Sequence, residues 1–262
     1  MLFYNSLFNS ILTENNLILD KGYKYSRLQR LVWSEASVQD LINARRNSIK
    51  PKIKTEIKYS YHLPYIFNSL DEFNYNILKD YILKLMNIII DQELYSITLC
   101  SHLNIDIEKD IYFWSKLFKE CRDNCKISLP IYMGFENCDK NLNLEGTYKV
   151  AKYFNIPVIY DNMHHLINPS YVDLEEIIEY SCKMFYLNNR KPYTHYSTPA
   201  FNIHKHGDNI NDDIFDILTI YKKYTKELII IPELNGFENA IKTFKERTEG
   251  TIKWLTDYCF EF

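Results

Sequence analysis

The chain has 262 residues, a mass of 31.5 kDa, and 46% hydrophobic against 25% charged residues, which allows a sizeable core and excludes a disordered tail or a collagen-like repeat. Its net charge of −3 and pI near 6.2 provide no global basic field of the kind that announces a nucleic-acid coat protein. The longest apolar runs, Ile88–Ile90 and Leu228–Ile231, fall far below the roughly 20 residues of a bilayer crossing, and Met1–Asn5 has neither a basic start nor a cleavage site, so an intracellular protein, cytoplasmic or nuclear and not secreted, is expected.

In chain order, Met1–Ser6 is the one stretch with room for an opening strand, and Leu7–Asp20 would then serve as its helix with almost no loop between them. Runs rich in β-branched and aromatic residues follow at Tyr23–Leu28, Ile53–His62, Tyr95–His102, Pro130–Asn137, Pro157–His164, Pro192–Ser197 and Leu228–Leu234. Helical spacing lies between them. In Asn74–Asp91 the apolar residues Ile77, Leu78, Tyr81, Ile82, Leu85, Ile88 and Ile89 keep to one face. Leu174–Met184 reads the same way, with Asp173 as N-cap and Glu175 and Glu176 in the first turn, where the helix dipole favours acids. The strand ends recur every 30 to 40 residues or so, the spacing of successive βα units, and no Pro/Gly/Ser-rich linker interrupts them. The expected architecture is therefore a single α/β domain over residues 1–262, a (β/α)8 TIM barrel whose first βα unit is abbreviated or incomplete, and a monomer. The six cysteines are scattered without zinc-site spacing and read as reduced thiols.

All seven histidines fall at or just beyond the ends of these runs. His62, His102, His164, His165 and His195 sit at strand ends, and His204 and His206 lie in the loop after the seventh strand. Glu136, Asp161 and Glu233 occupy the ends between them. In a (β/α) barrel such positions converge on the rim that carries active sites. Imidazole and carboxylate together suit zinc, manganese or iron, and a bridging carboxylate can serve two ions, so more than one ion is expected. Asp161 is the first polar residue after the apolar run Pro157–Tyr160, three residues before His164. If His164 faces the site, His165 points elsewhere while the chain stays extended, which leaves His165 open between a substrate contact and no role. His206 is preferred over His204 as a ligand.

Two segments carry a resemblance to a known family. Gly134-Phe135-Glu136-Asn137, and the stretch from Ile156 through Asp161-Asn162-Met163-His164-His165 to Asn168-Pro169, resemble the Glu-Asn and Asp-x-x-His-His-x-x-Asn-Pro elements of the UV-damage endonucleases. These are metal-dependent barrel enzymes of DNA repair, related in fold to endonuclease IV and xylose isomerase. Tyr61-His62-Leu63-Pro64 with Asn68-Ser69, His102-Leu103, Pro192-Tyr193-Thr194-His195 and Glu233 extend the likeness, which runs from about Gly22 to Ala240. The resemblance implies metal ligands at His62, His102, Glu136, Asp161, His164, His195, His206 and Glu233, with Glu136, Asp161 and Glu233 catalytic through the ions they hold. It implies substrate contacts at Tyr65, Asn68, Asn137, His165 and Tyr193. Two or three divalent ions are expected, manganese first and zinc or magnesium next, acting on damaged double-stranded DNA by hydrolysis of the phosphodiester 5′ to a lesion. Four departures stand beside the matches. Tyr193 replaces a family Lys, Asn235 and Phe237 replace a Lys-x-Lys, Tyr65-Ile66 replaces a Gln-aromatic pair, and no His occurs near Arg27–Leu31. A metal-dependent sugar isomerase or epimerase of the related barrels, or a non-catalytic metal- or DNA-binding descendant, are the competing readings. Arg45, Arg46, Lys50, Lys52 and Lys54 offer a local phosphate-binding rim to the first reading.

Overall fold

The computed structural model describes residues 60–63, 98–104, 106–124, 128–201, 203, 206–207, 209–234, 237–249, 252–254 and 259–261, together with 75–76, 79–80, 82–83, 86–87 and 90. The expected elements at Met1–Ser6, Leu7–Asp20 and Tyr23–Leu28, the basic residues from Arg45 to Lys54, and the site candidates Tyr65, Asn68 and His204 lie outside the described residues. The chain divides into two compact units, Met1–Met133 and Gly134–Phe262.

In the first unit, β1 (Ser60–His62) and β2 (Thr98–His102) pair in parallel with His62 opposite Cys100. The described residues between 75 and 90 are helical, as the apolar spacing of that segment predicts. Helix α1 (Ile107–Asn124) follows β2, and Asp106 starts it by accepting hydrogen bonds from the backbone N–H groups of Glu108 and Lys109 at 3.0 and 3.1 Å. Its buried Trp114, Leu117, Phe118 and Cys121 form an i, i+3, i+4, i+7 stripe. The described residues between 75 and 90 meet α1 through Tyr75, edge-on to Phe113 at 5.4 Å, and through the Lys79–Glu120 ion pair at 3.3 Å.

From Met133 onward strand and helix alternate. β3 (Met133–Glu136) leads to α2 (Leu144–Phe154), and β4 (Val158–Ile159) to the short α3 (Asn162–Ile167) and then α4 (Leu174–Leu187). β5 (Tyr193–Tyr196) is followed by α5 (Asp213–Tyr224), and β6 (Glu227–Pro232) by α6 (Phe237–Thr248). Asn143 caps α2 by accepting from the Gly146 N–H at 3.0 Å, and Asn155 ends it in the left-handed region at φ 54°, a conformation that Asn tolerates better than most residues. Asp173 caps α4 by accepting from the Glu175 N–H at 2.9 Å. The buried Ile177, Ile178, Ser181, Cys182 and Phe185 of α4 form one face, and the Ser181 hydroxyl accepts from the buried Val158 N–H at 3.1 Å.

Three elements differ from the sequence expectation. The segment from Pro130 begins as a 3-10 turn over Leu129–Tyr132, because a proline at the first positions of a helical turn has no N–H to lose, and the strand starts at Met133. The Pro157–His164 strand is cut to Val158–Ile159, since Asp161 accepts from the His164 N–H at 3.0 Å and turns the chain into α3. His164 and His165 are therefore helical, about 100° apart around an axis, rather than on alternate faces of a strand. Beyond Leu234, where no strand was expected, β7 (Lys253–Trp254) and β8 (Cys259–Glu261) form an antiparallel pair, and β8 pairs antiparallel with β6. A strand edge offers a row of unpaired N–H and C=O groups to any chain that reaches it. The second edge of β6 is filled in this way, and among the described residues no closed barrel is formed, in place of the (β/α)8 ring that the repeat of strands and helices predicts. Cys100, Cys121, Cys138 and Cys182 are buried and form no disulfide. Among the described residues no helix is long and apolar enough to cross a membrane.

Candidate metal centre

Strand register assembles the site. In β3 and β4, Glu136 lies opposite Ile159, and Asp161, two residues further on, forms a parallel bridge with His195. In β5 and β6, His195 lies opposite Ile231, while the N–H of Glu233, two residues beyond, donates to the Tyr196 carbonyl at 2.7 Å. Cross-strand partners share a face and side chains repeat every second residue, so Glu136, Asp161, His195 and Glu233 emerge on one face at neighbouring strand ends. Asp161, His195 and Glu233 each offer a ligand atom within 4.8 Å of the others.

The pairing is tight and buried. His195 Nδ1 lies 2.9 Å from Glu136 Oε1 and 3.4 Å from Glu233 Oε1. From the first turn of α3, His164 directs Nδ1 at the same Glu136 oxygen, at 3.4 Å, and at the Asn137 carbonyl, at 2.9 Å. Glu136 and Asp161 are wholly buried, and His164, His195 and Glu233 are nearly so. His206 is more open and reaches Glu233 Oε2 at 3.7 Å from the loop after β5. That loop is closed at its base by a bridge between Pro199 and His206 and by a bond from the Gly207 N–H to the Thr198 carbonyl. A Cβ on Gly207 would stand 2.9 Å from both the Pro199 carbonyl oxygen and Thr198 Oγ1, so only glycine permits this closure.

The candidates are thus distributed as follows. Glu136, Asp161, His164, His195, His206 and Glu233 come together in the second unit. His62 and His102 end β1 and β2 in the first unit. His165 is half-buried with its ring 6.0 Å from that of Tyr160, and burial lowers its pKa. Two residues that the resemblance assigns to substrate are turned inward. The Asn137 amide is fully buried, accepting from the Asp161 N–H and donating to the Asp161 carbonyl, both at 2.9 Å. The Tyr193 hydroxyl is 2.6 Å from His195 Nε2.

Ser197 and Asn162 escaped the sequence reading. The Ser197 hydroxyl shares its proton between the two Asp161 carboxylate oxygens at 2.9 and 3.0 Å, while its N–H donates to Asn162 Oδ1 at 2.9 Å. Asn162 in turn donates to Asp213 at 3.0 Å. A serine just past a strand has no chemical signature of its own. Its value comes from the 36-residue separation that the fold closes. Ser197→Ala should lower stability by about 1.5–3 kcal/mol, the range for a hydrogen bond to a charged group, as read from the urea midpoint; an unchanged midpoint would refute the bond's contribution.

Burial pulls the pKa of His164 down, but the carboxylates of Asp161, Glu136 and Glu233 outweigh it and hold the group at about 9. Burial likewise opposes protonation of His195, and Glu136, Glu233 and Asp161 again lift it to about 9. Both values lie above the unfolded reference of about 6.5. The stabilisation from these imidazolium ions is therefore complete below about pH 6.5 and is lost as pH rises through about 9. Chelated protein should show a urea midpoint that falls between pH 7 and 9.5, and the fall should be smaller in Glu136→Gln. Equal slopes in the two proteins would contradict this origin.

Three buried carboxylates against two imidazoles leave negative charge in excess even when both rings are protonated, and an uncompensated buried charge is costly. A divalent cation answers that excess, and mixed carboxylate and imidazole donors suit manganese, zinc or iron. Fold and site together define an α/β protein with a cluster fit to bind metal at the ends of parallel strands. No protein-family model matches the chain, and no curated protein matches it. Among solved structures, the crystal structure of SacUVDE is similar, with a TM-score of 0.58 over 86% of this chain and 75% of that chain at 18% identity. The chain shares the fold of SacUVDE.

Proposed function

We propose that the chain is a divergent UV-damage DNA endonuclease that hydrolyses the phosphodiester 5′ to a lesion in double-stranded DNA, on a partial, unclosed relative of the (β/α) barrel with an abbreviated first unit. The observation that carries this reading is the buried cluster of Glu136, Asp161, His164, His195 and Glu233 at adjacent strand ends, on a fold shared with SacUVDE. Three of its residues, Glu136, Asp161 and His164, are those of the Glu-Asn and Asp-x-x-His-His elements. Two or three divalent ions, manganese foremost, are the cofactors of this reading; bound there, they would lower the pKa of a water and neutralise charge on the attacked phosphate. The side chains have separable tasks. Glu136 ties the strand-end histidine to the α3 histidine through one oxygen. Glu233 stands between His195 and His206. Asn137 and Ser197 fix the backbone and the carboxylate of Asp161. His165, beside the cluster and kept neutral by burial, is the imidazole open to a substrate contact.

A metal-dependent sugar isomerase or epimerase is the second reading, favoured by one observation. Where the family places a lysine, Tyr193 is buried with its hydroxyl engaged by His195, so that position offers no cation to a phosphate. Incision of UV-irradiated against undamaged duplex, with Mn²⁺ and with chelator, separates the readings. Metal-dependent cutting confined to irradiated duplex is the expected result. Stoichiometric metal without cutting would overturn the endonuclease and favour a small-molecule substrate. A protein that takes up no metal would favour the non-catalytic descendant.

A further inference from the structure

Tyr193 and His195 lie two residues apart on β5 and share a face of the sheet. The phenol therefore stands one layer beneath the imidazole, their ring centroids 5.2 Å apart and their planes nearly perpendicular at 78°. Tyr193 is 2% exposed, and its hydroxyl oxygen lies 2.6 Å from His195 Nε2. The opposite ring nitrogen, Nδ1, faces Glu136 Oε1 at 2.9 Å and Glu233 Oε1 at 3.4 Å. An imidazole that holds a metal through one nitrogen carries its proton on the other, and the partner of that proton fixes both tautomer and ring orientation.

We infer that Tyr193 is a positioning residue for His195: its phenol oxygen accepts the Nε2 proton, which leaves Nδ1 as the ligand atom turned toward an ion among Glu136, Asp161 and Glu233. The inference rests on the metal-centre reading above. It also gives the departure at this position a physical content. A lysine ammonium has three donors and no acceptor, so it cannot take a proton from Nε2–H, whereas a phenol oxygen accepts one. The tyrosine exchanges a cation for a group that orients a ligand.

Tyr193→Phe removes the hydroxyl and little else. Chelated wild-type and variant proteins are titrated with Mn²⁺, with the free ion followed by electron paramagnetic resonance, and imidazole ¹⁵N spectra are recorded on both without metal. The tightest Mn²⁺ site should weaken about tenfold in the variant, the lower end of the range for losing the partner of a ligating histidine. The variant should also lose an exchange-protected imidazole N–H signal. Equal Mn²⁺ affinity in the two proteins would overturn the positioning role. Should the wild type take up no Mn²⁺, the metal-centre reading falls, and the spectra decide the contact by themselves: an imidazole signal unchanged by Tyr193→Phe overturns it. If Tyr193→Phe fails to fold, replacement of Tyr193 by 4-fluorophenylalanine fills the place of the hydroxyl with an atom that is a poor hydrogen-bond acceptor and cannot ionise. It should lower Mn²⁺ affinity in the same direction, and unaltered affinity would overturn the inference.

Discussion

Glu136→Ala should lose at least about tenfold in divalent-metal affinity and all incision of irradiated duplex, and without metal it should be less stable by about 1.5–3 kcal/mol, the range for a hydrogen bond to a charged group. The loss is large because of where the carboxylate sits. Glu136 ends β3 with no exposure to solvent, and one of its oxygens meets both His195 Nδ1 at 2.9 Å and His164 Nδ1 at 3.4 Å. Removing it takes from both rings their shared carboxylate oxygen, and only Asp161 and Glu233 then remain to balance two imidazolium ions. The rings would give up their protons at lower pH, and the site would lose the group that joins the strand histidine to the helix histidine. Glu136→Gln preserves the shape and separates the two effects: metal affinity should still fall, but the packing loss should be smaller. Elemental analysis of purified protein, the incision assay and urea unfolding at neutral pH check the three parts. Full metal content together with full incision in Glu136→Ala would sink the proposed centre.

Asn137→Ala should cost about 2–6 kcal/mol without any change of charge, as two buried peptide groups each lose a partner worth roughly 1–3 kcal/mol. The Asn137 side chain accepts from the Asp161 N–H and donates to the Asp161 carbonyl, the two bonds that a neighbouring strand would otherwise supply. Strand β4 ends at Ile159, so without this amide the backbone at Asp161 has no strand partner on that side. Mn²⁺ affinity should fall with stability, because Asp161 then leaves its place beside His195. Asn137→Asp should behave no better: it keeps an acceptor, loses the donor, and adds a charge beside Asp161 and Glu136. A stability loss below about 1 kcal/mol in Asn137→Ala would show that Asp161 is held by other means.

The segments that the sequence determined by itself are those in which chemistry and periodicity agree locally. The helix over 174–187 follows from an acidic cap and one apolar face, and β5 and β6 follow from short β-branched and aromatic runs. The Glu-Asn and Asp-x-x-His-His elements were legible because carboxylates and imidazoles rarely follow apolar runs without a reason to be there. The tertiary structure decided the remainder. Asp161 turned a predicted strand end into a helix cap because a carboxylate can reach the N–H three residues on. The C-terminal pair closed on β6 because an open strand edge accepts whichever strand arrives, a choice invisible to local pattern. Asn137, Tyr193 and Ser197 took their tasks from partners 24, 2 and 36 residues away. A side chain's type limits the hydrogen bonds it can make, but whether an amide or a phenol meets solvent or a buried ligand depends on the neighbouring strand, and strand register is a property of the folded chain.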